Sequence, residues 1–195
     1  MGKNASSLSR LMIPLLSVCL VASVLLGLAY TVTLKPKADA GLARQLQSIQ
    51  AVLPRFDNNP FEEQYSVPSV DGGDSLACFP ASLDGKPVGV AVRTWSALGY
   101  SGMIRLMVGF DAQGNIFDIS VLEQKETPGL GAKMVLPEFR GQFKGRNPGS
   151  EPLKVRKDGG DIDAITAATI SSRAFADAVR RAYESYFQDK KQSER

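Results

Sequence analysis

Two short stretches of the 195-residue sequence hold the residue types that cofactor chemistry needs. In Glu126-Thr127-Pro128-Gly129-Leu130-Gly131, a proline fixes one φ angle and two glycines permit positive φ, so the backbone can approach a flat ligand closely. Ordinary turn duty accounts for the same residues. The second stretch, DGGDIDAITAATISS at 158–172, sets a Gly-Gly turn, Asp158, Asp161, Asp163 and a cluster of hydroxyls just before a helical pattern. A helix N-terminus offers free N–H groups and a positive dipole end to a phosphate. Capping by Thr166 or Thr169 is the structural alternative. Thr166, Thr169, Ser171 and Ser172 could each accept a phosphoester, and composition does not choose among them.

Other chemistries are excluded by what is missing. The chain has no histidine, which removes Ser/His and Cys/His catalysis, the usual zinc spacings and His-ligated haem. No nucleophile–base pair and no metal cluster stands out, so any redox chemistry belongs to a bound cofactor. Cys19 and Cys78 cannot build a disulfide framework, since Cys19 lies in an apolar run and Cys78 reads as a buried strand residue. Net charge is +3, and from Thr31 onward 21 basic residues face 20 acidic ones, which gives no basic surface for nucleic acid.

The elements that must position the two stretches follow from periodicity. Leu11 to Leu34 contains no charged residue, and at ~1.5 Å per helical residue it reaches ~36 Å, enough to cross a bilayer. We read 11–34 as a transmembrane helix, with 1–10 before it. Ala38-Asp39-Ala40 resembles a signal cleavage site and Cys19 a lipidation site, but the length of the run favours an anchor. Leu42, Leu46, Ile49 and Leu53 suggest a juxtamembrane helix bounded by Pro54, whose apolar face is expected to pack on the domain rather than on a partner, and 54–74 reads as an irregular connection. The stretch 35–75 thus separates the anchor from a domain at 76–187, and 188–195 forms a polar tail.

Within that domain, 76–82 reads as a strand and 88–95, 103–110 and 117–121 follow with alternating patterns, which predicts a four-stranded antiparallel meander. A short helix is expected near 132–143, and 153–156 is a candidate fifth strand. Ala174, Phe175, Ala178, Val179, Ala182, Tyr183 and Tyr186 then share one helical face, with Arg173, Asp177, Arg180, Arg181 and Glu184 opposite. The expected fold is α+β, with helices on one face of an antiparallel sheet.

Together, GYSGMIRLMVGFDAQGNIFDISVLEQKETPGLGAKM at 99–134 and KDGGDIDAITAATISSRAF at 157–175 closely resemble the FMN-binding domain of the G subunit of Rnf electron-transport complexes. The resemblance runs from about Cys78 to Tyr186. It implies FMN joined through its phosphate to Thr169, the last residue of a motif usually written (S/T)GAT and here Thr166-Ala167-Ala168-Thr169. Ala167 stands where Gly is usual; it suits a first helical turn if its φ is negative, with Thr166 as N-cap. Ser171 lies beside this motif. Glu126, Thr127, Gly129, Leu130 and Gly131 would lie against the flavin, with Lys157 and Arg173 available as counter-charges to the phosphate and the three acids turned away.

The resemblance further implies a flavin transferase that uses FAD as donor, membrane and redox partner subunits, and electron relay in an ion-translocating ferredoxin:NAD oxidoreductase. It places the N-terminus in the cytoplasm and the C-terminal domain on the periplasmic side of the bacterial inner membrane. Two other readings are the C subunit of the sodium-translocating NADH:quinone oxidoreductase and a cofactor-free assembly module of the same fold.

Overall fold

The computed structural model describes the backbone of residues 5–193 and the side chains of 12–28, 30 and 45–190. The chain divides into two units, Met1–Gln45 and Leu46–Arg195. Helix α1, Ala5–Val52, contributes to both. In the first unit the described apolar side chains from Met12 to Leu28 are all exposed, Leu26 by 75%. Leu11, Ala29 and 31–34 of the expected span lie outside the described side chains. Among the described residues, no helix is long and apolar enough to cross a membrane.

The second unit is an α+β domain built on five antiparallel strands in the order β1-β2-β3-β4-β5. They are β1 Tyr65–Val67, β2 Leu76–Leu83, β3 Lys86–Ser96, β4 Ile104–Asp111 and β5 Ile116–Glu123. The four expected strands are present, and β1 is an addition: Tyr65, Ser66 and Val67 pair with Cys78, Ala77 and Leu76 inside a stretch read as irregular. Asp84 and Gly85, with φ of 51° and 71°, close the β2–β3 hairpin in a two-residue turn whose twist suits the strands.

Helix α3, Thr169–Ser193, buries Ala174, Phe175, Ala178, Val179 and Ala182 with Val92, Leu106, Val108 and Phe110 of the sheet. Phe139, Phe143 and Phe175 complete this core, with ring centroids 5.0–5.6 Å apart. The expectation of helices on one face alone is corrected by a second core. Ile49, Val52 and Leu53 from the end of α1 and the residue after it pack with Phe79, Ala81, Ala91 and Met107 on the other face. Gly109 makes this approach possible, because a Cβ there would run into the carbonyl oxygen of Val52. β4 is consequently buried continuously from Leu106 to Phe110.

Three other expectations change. The helix foreseen at 132–143 is broken into a 3-10 turn at Gly131–Val135, the single turn α2 at Pro137–Arg140 and a 3-10 turn at Gly141–Phe143. Pro137 causes the first break, since the residue before a proline avoids the helical region and Leu136 is extended at φ −77°, ψ 144°. Residues 153–156 form no strand, and Val155 makes only an isolated parallel bridge to Ile162. Arg181, expected in solvent, is buried with its guanidinium 4.3 Å from the Trp95 ring centroid.

Candidate FMN site

The strands end and α3 begins so that the two chemically loaded stretches meet. Leaving β5, the chain turns at Thr127–Leu130, where the Leu130 N–H donates to the Thr127 carbonyl at 3.1 Å and Gly129 takes φ 78°. No atom lies within 4 Å of a Cβ built on Gly129, so the turn presents open backbone. Gly131 has a different duty. Its φ is not positive, and a Cβ there would stand 2.5 Å from Ser171 Oγ and 2.7 Å from Glu126 Oε2. The missing side chain lets the loop pack on the start of α3.

Glu126 is 5% exposed and spends both carboxylate oxygens inside the protein. Oε2 accepts the Ser171 hydroxyl at 2.7 Å, and Oε1 accepts the Ser101 N–H at 3.0 Å. Of the residues expected beside the flavin, Glu126, Gly131 and Ser171 are therefore braces buried beneath the surface, while Thr127, Gly129 and Leu130 are exposed. The Ser101 bond also draws in the 97–103 loop, most of which lies in the matching stretch but had no site role from the sequence. Its Leu98, Tyr100 and Met103 are exposed, as are Leu130, Val135, Leu136 and Ile170 on the neighbouring segments.

At the second stretch, Ala168 N–H donates to the Ile165 carbonyl at 2.9 Å, closing a turn through Thr166 and Ala167. Ala167 takes φ 60°, a left-handed conformation that costs a non-glycine residue ~1–2 kcal/mol. The expectation of negative φ there is corrected, and with it the helix start. α3 begins at Thr169, and Ala168 is the residue whose carbonyl accepts the first helical bond, from Ser172 N at 3.0 Å. Thr166 is exposed in the turn and makes no cap. Ser172 staples the turn instead, its Oγ accepting Ile165 N–H at 2.9 Å and donating to the Ala168 carbonyl at 3.0 Å.

The four hydroxyls are thereby sorted by environment. Ser171 and Ser172 are buried and hydrogen-bonded. Thr169 is half-buried at the first helical position, with Lys157 Nζ 3.5 Å from its Oγ1. Lys157 arrives there because Gly159, at φ 81°, and Gly160, where a Cβ would run into the Lys154 carbonyl, fold 154–162 back on itself. Arg173 is committed elsewhere: its Nε and Nη2 lie 2.7 and 2.6 Å from Asp158 carboxylate oxygens. This hydrogen bond and the guanidinium charge hold the Asp158 carboxyl below its usual range. Asp163 pairs with Arg156 at 3.0 Å. A groove of about 520 Å³ between 148–155 and the outer face of α3 includes Asp158 and Arg173 in its wall, but not Thr169.

A model of the FMN-binding domain family matches residues 99–184, which span both stretches. The G subunit of the ion-translocating oxidoreductase complex of Vibrio cholerae serotype O1 is 33% identical over 174 residues, covering 84% of this chain and 83% of its own. Its counterpart from Erwinia tasmaniensis is 39% identical over 140 residues, covering 68% and 67%. The chain belongs to this G-subunit family. Membership accounts for the arrangement described above, an FMN-binding domain with both motifs at one end of α3. The crystal structure of the C subunit of the Na(+)-translocating NADH-quinone reductase from Parabacteroides distasonis superposes with a TM-score of 0.46 at 25% identity, over 58% of this chain and 62% of that one.

The residues present fit FMN. A half-exposed hydroxyl beside an ammonium group suits its phosphate, and the exposed backbone at Gly129 with Leu130 and Ile170 suits a flat, largely apolar ring.

Proposed function

We propose that this chain is the flavoprotein G subunit of an Rnf-type ion-translocating oxidoreductase complex, carrying FMN on Thr169 through a phosphoester. The observation that supports the attachment site is the Lys157 ammonium beside Thr169 at the helix start. Burial removes Ser171 and Ser172, and of the two accessible hydroxyls Thr169, the position the family motif points to, has the cation beside it whereas Thr166 does not. Bound FMN supplies the electron transfer that the side chains cannot. The chain's own part is to hold the flavin's phosphate at the start of α3, to expose the Thr127–Leu130 backbone beside it, and to keep both segments in register through Glu126 and Ser171.

A covalent link suits a carrier outside the cytoplasm, where a dissociating cofactor is lost. We assign residues 11–34 as the membrane anchor, 1–10 to the cytoplasm and the domain to the periplasmic side. The exposed large apolar side chains of Met12–Leu28, 51–75% accessible, support the anchor, since such a surface suits a nonpolar environment. A flavin transferase and the other members of the complex are the partners this reading requires.

Coexpression of the full chain with a flavin transferase tests it. Wild-type protein, denatured and run on a gel, is expected to fluoresce as a flavin band, and Thr169→Ala protein of unchanged fold is expected to be dark. A fluorescent Thr169→Ala band would refute the attachment site. An alkaline phosphatase fusion after Arg195 is expected to be active, and inactivity there with an active cytoplasmic reporter would reverse the topology.

A further inference from the structure

We propose, building on FMN attachment at Thr169, that Lys157 is the residue that holds the flavin's phosphate. Its Nζ lies 3.5 Å from Thr169 Oγ1 across 12 residues of sequence, a position set by the fold-back of 154–162 rather than by local helix geometry. That fold-back is tied by Arg156 N–H to the Ile162 carbonyl at 2.9 Å, Ile162 N–H to the Lys154 carbonyl at 3.1 Å and Gly160 N–H to the Val155 carbonyl at 3.2 Å. Two of the three neighbouring acids are paired with other residues, Asp158 with Arg173 and Asp163 with Arg156, and the third, Asp161, is exposed. Among the described residues, Lys157 takes part in no ion pair.

The chemistry matches this arrangement. A phosphodiester on Thr169 carries one full negative charge at neutral pH. An ammonium has three donors, so Lys157 can donate to a non-bridging phosphate oxygen within reach of its present partner, Thr169 Oγ1. Arg173, with two of its nitrogens on Asp158, cannot serve without breaking that pair.

The test uses the full chain in detergent with purified flavin transferase and FAD, followed by intact mass. Lys157→Gln is expected to slow incorporation about five-fold at subsaturating FAD, the size that an exposed charge-assisted contact allows. Lys157→Arg is expected to stay within about two-fold of wild type, and the control Lys154→Gln to match it. The second readout is the ³¹P resonance of chains loaded to completion, which Lys157→Gln is expected to move and Lys154→Gln to leave in place. An unchanged rate and an unmoved resonance in Lys157→Gln would overturn the proposal. A slowed rate with an unmoved resonance would overturn it too, because Lys157 would then act on the transferase. Peptide mapping of the wild type separates the underlying reading: an adduct away from Thr169 refutes both, whereas an adduct on Thr169 with an indifferent Lys157→Gln refutes this one alone.

Discussion

Glu126 Oε2 accepts the Ser171 hydroxyl at 2.7 Å, a buried bond between residues 45 apart that joins the loop after β5 to the first turn of α3. With Gly131 packed against both partners, it fixes the spacing between the open turn and Thr169. Ser171→Ala removes one partner of a buried carboxylate and is expected to cost about 1–3 kcal/mol in thermal or denaturant unfolding. Flavin should remain attached while its absorption spectrum shifts, because the hydroxyl braces the site and does not bear the cofactor. Wild-type stability and spectrum in this variant would remove the brace.

Ala167 at φ 60° occupies a conformation that glycine adopts without strain. Ala167→Gly is expected to relieve ~1–2 kcal/mol of strain, partly offset by the greater freedom of glycine in the unfolded chain, for a net gain of up to about 1 kcal/mol. Thr166→Ala, at a position that makes no cap, is expected to change stability by less than about 0.5 kcal/mol. A glycine variant less stable than wild type would contradict the left-handed assignment.

Gly109 admits the Val52 carbonyl to the sheet, so Gly109→Ala forces the end of α1 away from β4. Overpacking against backbone is expected to cost about 3 kcal/mol, well beyond an ordinary surface change. A variant within about 0.5 kcal/mol of wild type would show that the second core tolerates a gap between α1 and the sheet.

Cys78 is fully buried, and burial, with a smaller contribution from the Asp189 charge, pushes its thiol up to about 12. A raised acid favours the folded state while it is protonated. Its contribution is therefore fully present below the ordinary thiol range of ~8.5 and is lost as pH climbs toward the folded value. Native Cys78 is expected to resist alkylation at pH 8 and to react once the chain is unfolded, as read by peptide mass. Rapid alkylation of the native chain would contradict its burial.

Alternation was enough to reveal β3–β5, because apolar residues recur every second position within 88–92, 104–110 and 117–121, and β2 showed as a short apolar run before a turn. The helical spacing of Ile49 and Leu53 showed a face that packs on the domain, but strand alternation hid where it docks, since Met107 and Gly109 belong to the opposite phase of the sheet. β1 spans three residues among turn formers, too few to show a period. Arg181 looked solvated because its charge is satisfied across the fold, by Asp71 at 3.3 Å and the Trp95 ring. At the site, the sequence located both stretches but could not separate braces from exposed residues. Glu126 and Ser171 are polar by type and buried by tertiary pairing, and the left-handed Ala167 breaks a rule that single-residue preferences supply.

The central claim is that the flavin is carried by Thr169, and peptide mass spectrometry of the wild-type chain after coexpression with a flavin transferase tests it most directly. The predicted result is an FMN phosphoester on the peptide containing Thr169, with fragment ions that place it on that residue and leave Thr166, Ser171 and Ser172 unmodified. An adduct on any of those three hydroxyls, or a folded chain that stays unmodified beside an active transferase, would contradict the account.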